Sequence, residues 1–371
     1  MEPMTLLHQS DYHKIEQVIQ RLKTTQREIF IFPSGGVGKN LLDTMRGFGV
    51  TIAGLGDNAA HKVGQKLDGI PIVSFAEIAE KHPDAIILIG SRIYAPEIMQ
   101  QFQKAGFSAE NLIFEEFNGY AAVSKLDVPA LMQNNWDKLQ KLVPLLADAQ
   151  SRKVLYGYLN YLQTFDAQYI EQIRSQETMY FDASLYALSS DETVVDGGGY
   201  TGDTFSVFSG LVPSFDTYFL CEPMHDIMDK AKARLGRMEF SGSVRYIEKA
   251  LWDRETSLFF DAHGSGSMVG QDGNVPTLAA PLDQITEGKK VTLIKLDVEG
   301  SEEKALLGAQ QTIARWHPKL AVCVYHLTNL FEHGGFDILD LPLKIKELYP
   351  SYQIYLRHYG SGLTDAVCYA L

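Results

Sequence analysis

Eight consecutive residues in the second half of the chain, Asp196-Gly197-Gly198-Gly199-Tyr200-Thr201-Gly202-Asp203, combine glycines that permit close backbone approach with two carboxylates. Gly197, Gly199 and Gly202 have the Gly-x-Gly-x-x-Gly spacing with which a strand-to-helix turn admits a nucleotide-like ligand. Glu222 lies 20 residues beyond Gly202, at the end of the next strand-like run, where a carboxylate can accept hydrogen bonds from ribose hydroxyls. Spacing alone admits NAD and S-adenosylmethionine equally. The flanking charges separate them. A pyrophosphate laid on this turn would face Asp196 and Asp203, with repulsion on the order of several kcal/mol in a partly desolvated site. S-adenosylmethionine instead brings an ammonium and a sulfonium, which carboxylates attract. The structural alternative is a plain tight turn with an aspartate cap.

A second set of reactive residues ends another apolar run. Lys295, Asp297 and Glu299 alternate in Val291-Thr-Leu-Ile-Lys-Leu-Asp-Val-Glu299. Residues two apart share a strand face, so Lys295 and Asp297 project together just before the chain turns at Gly300. Open α/β sheets hold ligands at that carboxyl edge. Charges in an apolar strand are either used in chemistry or satisfied structurally, here by a Lys295–Asp297 ion pair. His326 closes the following run, Val324-Tyr325-His326, and with an ordinary pKa near ~6.5 it is a candidate general base. Asp297 is the rival base. Methyl transfer from a sulfonium is an in-line displacement that needs alignment and, for a hydroxyl acceptor, removal of a proton. Asp297 with Glu299 or Glu302 could also hold a hard divalent ion that lowers the pKa of a bound hydroxyl, although the spacing does not require a metal. Tyr180 and Phe181 are placed either against the ligand or in the core.

These residues need a sheet to carry them. From Thr193 the chain alternates strands (Thr193–Val195, Thr217–Cys221, Val244–Ile247, Val291–Leu296, Leu320–Tyr325) with helices around 204–209, 226–235, 302–316 and 339–348, and closes with a predicted hairpin, 352–358 and 365–370. Five alternating strands closed by a hairpin give the order of a seven-stranded methyltransferase sheet. Residues 28–114 alternate similarly, with strands at 28–32, 50–55, 70–73, 85–90 and 112–114. Residues 118–176 carry helical periodicity without strand signals. The predicted fold class is α/β, with two doubly wound Rossmann-like domains (1–117 and 177–371) joined by a helical connector (118–176).

The C-terminal motifs, taken in order, resemble the FkbM family of methyltransferases. They are Val194–Thr204, Leu220-Cys221-Glu222-Pro223, Ala250-Leu251-Trp252-Asp253, Ile294–Glu302 and Tyr355-Leu356-Arg357-His358-Tyr359. The resemblance covers roughly 176–371. It implies a class I fold, S-adenosylmethionine held by the loop (Asp196 to Gly199, Tyr200, Gly202, Asp203) and Glu222, and methyl transfer to hydroxyl oxygens of small molecules and sugars. It also implies that Lys249, Ala250 and Leu251 lie near the adenine, and Gly264-Ser265-Gly266-Ser267 near cofactor or substrate. Two other functions fit parts of the sequence: an NAD-linked oxidoreductase or epimerase of nucleotide sugars, and a non-catalytic S-adenosylmethionine-binding protein. A missing Tyr-x-x-x-Lys pair argues against the first, and the charged strand end against the second.

The N-terminal loop, Pro33-Ser34-Gly35-Gly36-Val37-Gly38, is a degraded version of the same fingerprint, with Asp57 ending the next strand at ribose-contact spacing. Gly38-Lys39 hints at a P-loop, but Asn40 replaces the Ser/Thr and Pro33 the opening Gly. Two readings stand: a site for a nucleotide or nucleotide-linked substrate, and a scaffold or dimerisation domain that retained a turn.

Bulk composition sets the outer bounds. A chain of 371 residues, 45% hydrophobic and 21% charged, suffices for two or three globular domains. Its net charge of -13 gives no attraction for a phosphate backbone. The three cysteines lack metal spacing, as expected of reduced thiols in a cytoplasmic protein. The start of the sequence has no signal-peptide pattern, and no run approaches ~18 apolar residues. The expected partner is a small-molecule or saccharide acceptor, with neither nucleic acid nor membrane; a homodimer is compatible with the sequence.

Overall fold

The computed structural model describes residues 4–92, 94–260, 275–326, 330 and 335–371. Gly264–Ser267 lie outside the described residues. The chain divides into two compact units: a larger one containing Asn135–Gly157 and Gln172–Leu371, and a smaller one made of Thr5–Asn134 and Tyr158–Glu171. The helical segment 118–176 is thus shared between the units and does not form a third body. Buried side chains account for the division. Asp148 pairs with Arg357, and Leu146 bridges to Ile354, inside the larger unit. Phe165 packs with Tyr12, Tyr120 and Tyr161 inside the smaller one.

In the smaller unit the strands are β1 (Ile29–Phe32), β2 (Gly54–Asp57), β3 (Lys66–Leu67), β4 (Ile70–Ser74), β5 (Ile86–Ile89) and β6 (Leu112–Ile113), in the order β3-β4-β2-β1-β5-β6. Every pairing is parallel except β3–β4. The second strand begins four residues later than its apolar run predicts. Phe30 pairs with Gly54, and a Cβ at Gly54 or Gly56 would run into the rings of Phe30 and Phe32. The glycines, not Val50 and Ile52, therefore make the close strand pairing.

Asp57, at the tip of β2, is buried and already engaged. It accepts from the Ser34 N–H (3.2 Å) and Oγ (2.6 Å), the Ala59 N–H (2.9 Å) and Lys62 Nζ (2.9 Å). Its oxygens close the chain's own turn, which leaves little for a ribose. Burial alone would raise its pKa, but Ser34, Lys62 and Ala59 outweigh that and bring it down to about 2. A carboxylate with a lowered folded-state pKa stabilises above its unfolded value and loses that contribution as the pH falls through the folded one. Asp57→Asn should therefore cost about 1–3 kcal/mol at neutral pH. In denaturant melts this deficit should shrink below about pH 4. A pH-independent difference would contradict the assignment.

The larger unit carries β7 (Thr193–Gly197), β8 (Ser214–Cys221), β9 (Ser241–Ile247), β10 (Ala250–Leu251), β11 (Thr256–Phe260), β12 (Val275–Ala280), β13 (Leu293–Leu296), β14 (Lys319–Cys323), β15 (Ile354–His358) and β16 (Ala366–Ala370). Seven of them form one sheet in the order β15-β16-β14-β13-β7-β8-β9. β9, β8, β7, β13 and β14 run parallel, while β16 inserts antiparallel between β14 and β15. The strand order reverses between β7 and β13, so their carboxyl ends frame the crevice where such sheets place ligands. Phe205, Phe208, Phe215 and Tyr218 pack one face of the sheet with Tyr180, Phe181 and Met228.

Two features depart from the predicted elements. β10, β11 and β12 form a separate three-stranded sheet where no strand is predicted. The single helix predicted over 302–316 is two, Glu302–Leu307 and Gln310–Trp316. Gly308 lies at the break, where any Cβ would overlap the Trp252 carbonyl oxygen. No described helix is long and apolar enough to cross a membrane.

Candidate functional site

The glycine loop leaves β7 at Gly197 and enters the helix Asp203–Leu211. Gly198 and Gly202 adopt left-handed φ of 74° and 76°, and Tyr200 has φ 42°. A Cβ on Gly198 would overlap the Asp297 carbonyl oxygen, and one on Gly202 would strike Leu235. The Gly198 and Gly199 N–H groups donate to the Cys221 carbonyl at 3.0 and 2.9 Å, tying the loop to the tip of β8. Glu222 follows directly, buried, and accepts from the N–H groups of Tyr200 (3.1 Å) and Met224 (2.9 Å). Burial lifts its pKa despite those two bonds. Asp203 is exposed at the first turn of the helix. Leu251 lies against Gly197, and Ala250 packs with Ala279, Met224 and Trp252.

Asp196 is not where the charge argument put it. Its side chain is 0% exposed and ion-paired with Lys295 Nζ at 2.9 Å, and it accepts from the Tyr218 hydroxyl at 2.8 Å. Lys295 is 2% exposed and also donates to the carbonyls of Gly197 (2.9 Å) and Gly198 (2.8 Å). Burial would lower the Lys295 pKa, but Asp196 and Asp297 outweigh it and hold it above the ordinary value. The reason is register: Lys295 pairs with Asp196 across the parallel β7–β13 ladder. The ion pair therefore joins neighbouring strands and does not link Lys295 to Asp297 within one. Lys295 therefore ties β13 to the glycine loop, through Asp196 and the two loop carbonyls.

Asp297 remains at the edge with a side chain 23% exposed. The Tyr180 hydroxyl donates to its Oδ2 (2.9 Å) and the Tyr325 hydroxyl to its Oδ1 (3.0 Å). Burial would raise its pKa, but His326, Lys295 and Tyr180 hold it well below the usual carboxylate range. Glu299 is more open and has a left-handed φ of 55°; burial pushes its pKa up to about 7. His326, buried, places Nε2 3.3 Å from Asp297 and 3.5 Å from Glu299, and Nδ1 3.2 Å from Glu302. Burial would lower its pKa, but Glu302 and Asp297 hold it well above the ordinary value. The flanking carboxylates thus favour the protonated form of the imidazole.

Sequence reasoning brought Gly197–Gly202, Glu222, Asp297, Glu299 and His326 to one edge. It missed Tyr218, Tyr325 and the inward role of Glu302, a first-turn helix residue whose Oε1 accepts from the Val298 N–H at 2.8 Å. Only the position of Tyr325 beside His326 could have flagged it. Of the aromatic pair, Tyr180 touches the site and Phe181 packs against Phe208. In the tail, Arg357 binds Asp148 and His358 Nε2 contacts the Gly362 carbonyl, both structural contacts.

No curated protein matches the chain. A crystal structure of methyltransferase FkbM from Methylobacillus flagellatus KT has a TM-score of 0.67 and 24% identity, over 98% of this chain and 95% of that one. Fibrillarin from Aeropyrum pernix, in complex with natively bound S-adenosyl-L-methionine, is 11% identical over 51% of this chain and 70% of its own, with a TM-score of 0.33. An rRNA methylase from Streptococcus thermophilus is 12% identical over 53% of this chain and 97% of its own, with a TM-score of 0.31. The family model described as the methyltransferase FkbM domain matches residues 216–351, a span that begins after the glycine loop and includes Glu222, Asp297, Glu299 and His326. Over those residues the chain carries a methyltransferase FkbM domain.

Proposed function

We propose that the chain transfers a methyl group from S-adenosylmethionine to a hydroxyl of a small molecule or saccharide. The observation that carries this reading is Glu222, held at the tip of β8 by the Tyr200 and Met224 N–H groups beside the left-handed glycine loop. From there it can take two ribose hydroxyls. The charge of the edge supports a cationic cofactor, although not through Asp196. Asp297, Glu299 and Glu302 gather near the loop while Lys295 is spent on Asp196. A sulfonium suits that edge, and a pyrophosphate would be repelled by it. In this reading Glu299, its pKa pushed up to about 7 by burial, is the better acceptor for the hydroxyl proton, and Asp297, held well below the usual carboxylate range, is the weaker one. Three buried free thiols, Cys221, Cys323 and Cys368, are in keeping with a cytoplasmic setting.

Calorimetry with S-adenosylmethionine and with NAD tests the cofactor. Binding of the first and not the second is expected, and the reverse would overturn the reading. Glu222→Ala should weaken binding about 10–100-fold, the loss of one or two charge-assisted hydrogen bonds. Formation of S-adenosylhomocysteine on incubation with a metabolite extract separates turnover from binding without chemistry.

A further inference from the structure

The cluster behind Asp297 gathers carboxylates from three positions around one buried imidazole, at 3.2–3.5 Å. Lys295, the lysine two residues before Asp297, is committed to Asp196 and to two loop carbonyls. Moreover, both ring nitrogens of His326 and Oε2 of Glu302 are buried without a hydrogen-bond partner, on side chains 5% and 0% exposed. Buried polar atoms of this kind require an explanation. One ligand atom each from Asp297, Glu302 and His326 lies within 4.8 Å of the others, close enough for a single ion to draw together at about 2.0–2.2 Å per bond.

We propose that Asp297, Glu302 and His326 form a site for a divalent cation, with Glu299 at its margin. Two carboxylates suit a hard ion such as Mn²⁺, and the imidazole beside them also suits the borderline Zn²⁺. A divalent ion there offsets the Asp297 and Glu302 carboxylates, with the neutral imidazole as its nitrogen ligand. The site goes beyond the methyl-transfer reading and does not depend on it. A second cluster, His225, Asp229 and Glu248, is no equivalent: all three are exposed, and Lys232 already pairs with both carboxylates.

Full-length protein, dialysed against EDTA and then freed of chelator, should bind Mn²⁺ at one site per chain by calorimetry and electron paramagnetic resonance. Glu302→Gln and His326→Gln should each weaken that binding about 10–100-fold, and His225→Ala should leave it intact. Mn²⁺ should raise the melting temperature of the wild type and not of Glu302→Gln. Absence of saturable binding by the wild type overturns the site, as does binding that survives both substitutions. If a buried substitution prevents folding, Asp297→Asn takes its place with the same expected loss. Titration of S-adenosylmethionine in EDTA keeps the two proposals apart: cofactor binding with no Mn²⁺ binding removes only the metal site, and Mn²⁺ binding with no cofactor binding removes only the cofactor reading.

Discussion

Lys295→Met should destabilise the larger unit by about 3–5 kcal/mol, the usual penalty for removing one partner of a buried ion pair. Methionine fills a similar volume, so packing contributes little. The loss comes from charge and from hydrogen bonds. Asp196 would be left buried with only the Tyr218 hydroxyl, and the Gly197 and Gly198 carbonyls would lose their shared donor. For a unit of about this size the melting temperature should fall on the order of 10 °C. Cofactor affinity should fall with it, because those carbonyls belong to the loop. The double variant Asp196→Asn/Lys295→Met should recover more than half of the lost stability, since it removes the uncompensated charge. A single-variant loss below about 1 kcal/mol would show that the pair does not hold the loop.

The second large effect is expected at Gly198. An alanine there must adopt a left-handed φ of 74° and clear the Asp297 carbonyl oxygen, which a Cβ would overlap. Strain of about 1–2 kcal/mol adds to overpacking of about 1–3 kcal/mol. The cheapest relief moves the loop away from β13, so S-adenosylmethionine binding should drop at least about 100-fold. Gly36→Ala in the N-terminal loop is the contrast. Nothing lies within 4 Å of a Cβ at Gly36, which opens a helix, and alanine should be neutral or stabilising by up to about 1 kcal/mol. Chemical denaturation and calorimetry on the pair of variants decide the matter. Equal effects at the two glycines would mean that neither loop is shaped by what lies against it.

The two loops look alike in sequence because the glycine spacing reports only that a strand turns into a helix. In the N-terminal loop only Gly38 is demanded by contact, against the Pro33 carbonyl, and Asp57 closes its own turn. In the C-terminal loop Gly198 and Gly202 are both demanded, and Glu222 reaches back to the Tyr200 N–H. Apolar alternation likewise located β7, β8, β13, β14 and the terminal hairpin, because each buried strand needs a run of apolar residues wherever it packs. It did not locate β10 to β12, whose Thr-Ser-Leu-Phe-Phe and Val-Pro-Thr-Leu-Ala-Ala segments lack both a long apolar run and a clean alternation. The helix break at Gly308 was hidden for a similar reason. Glycine inside a helical pattern is tolerated at modest cost, and only the Trp252 carbonyl pressing on it shows why the helix breaks there.

The sequence by itself determined the seven-stranded α/β plan, the glycine turn, and the gathering of Glu222, Asp297, Glu299 and His326 at one sheet edge. All of these follow from local periodicity and from which end of a strand a residue occupies. Only the tertiary structure decided which charges face outward. Whether Lys295 meets Asp297 on its own strand or Asp196 on the next depends on the β7–β13 register. Whether His326 is free to accept a proton depends on Glu302 and Asp297, from the helix and the strand end that precede it in the chain. Electrostatic roles are set by neighbours a few ångströms away in space, and one of them, Tyr180 beside Asp297, is 117 residues away in the chain.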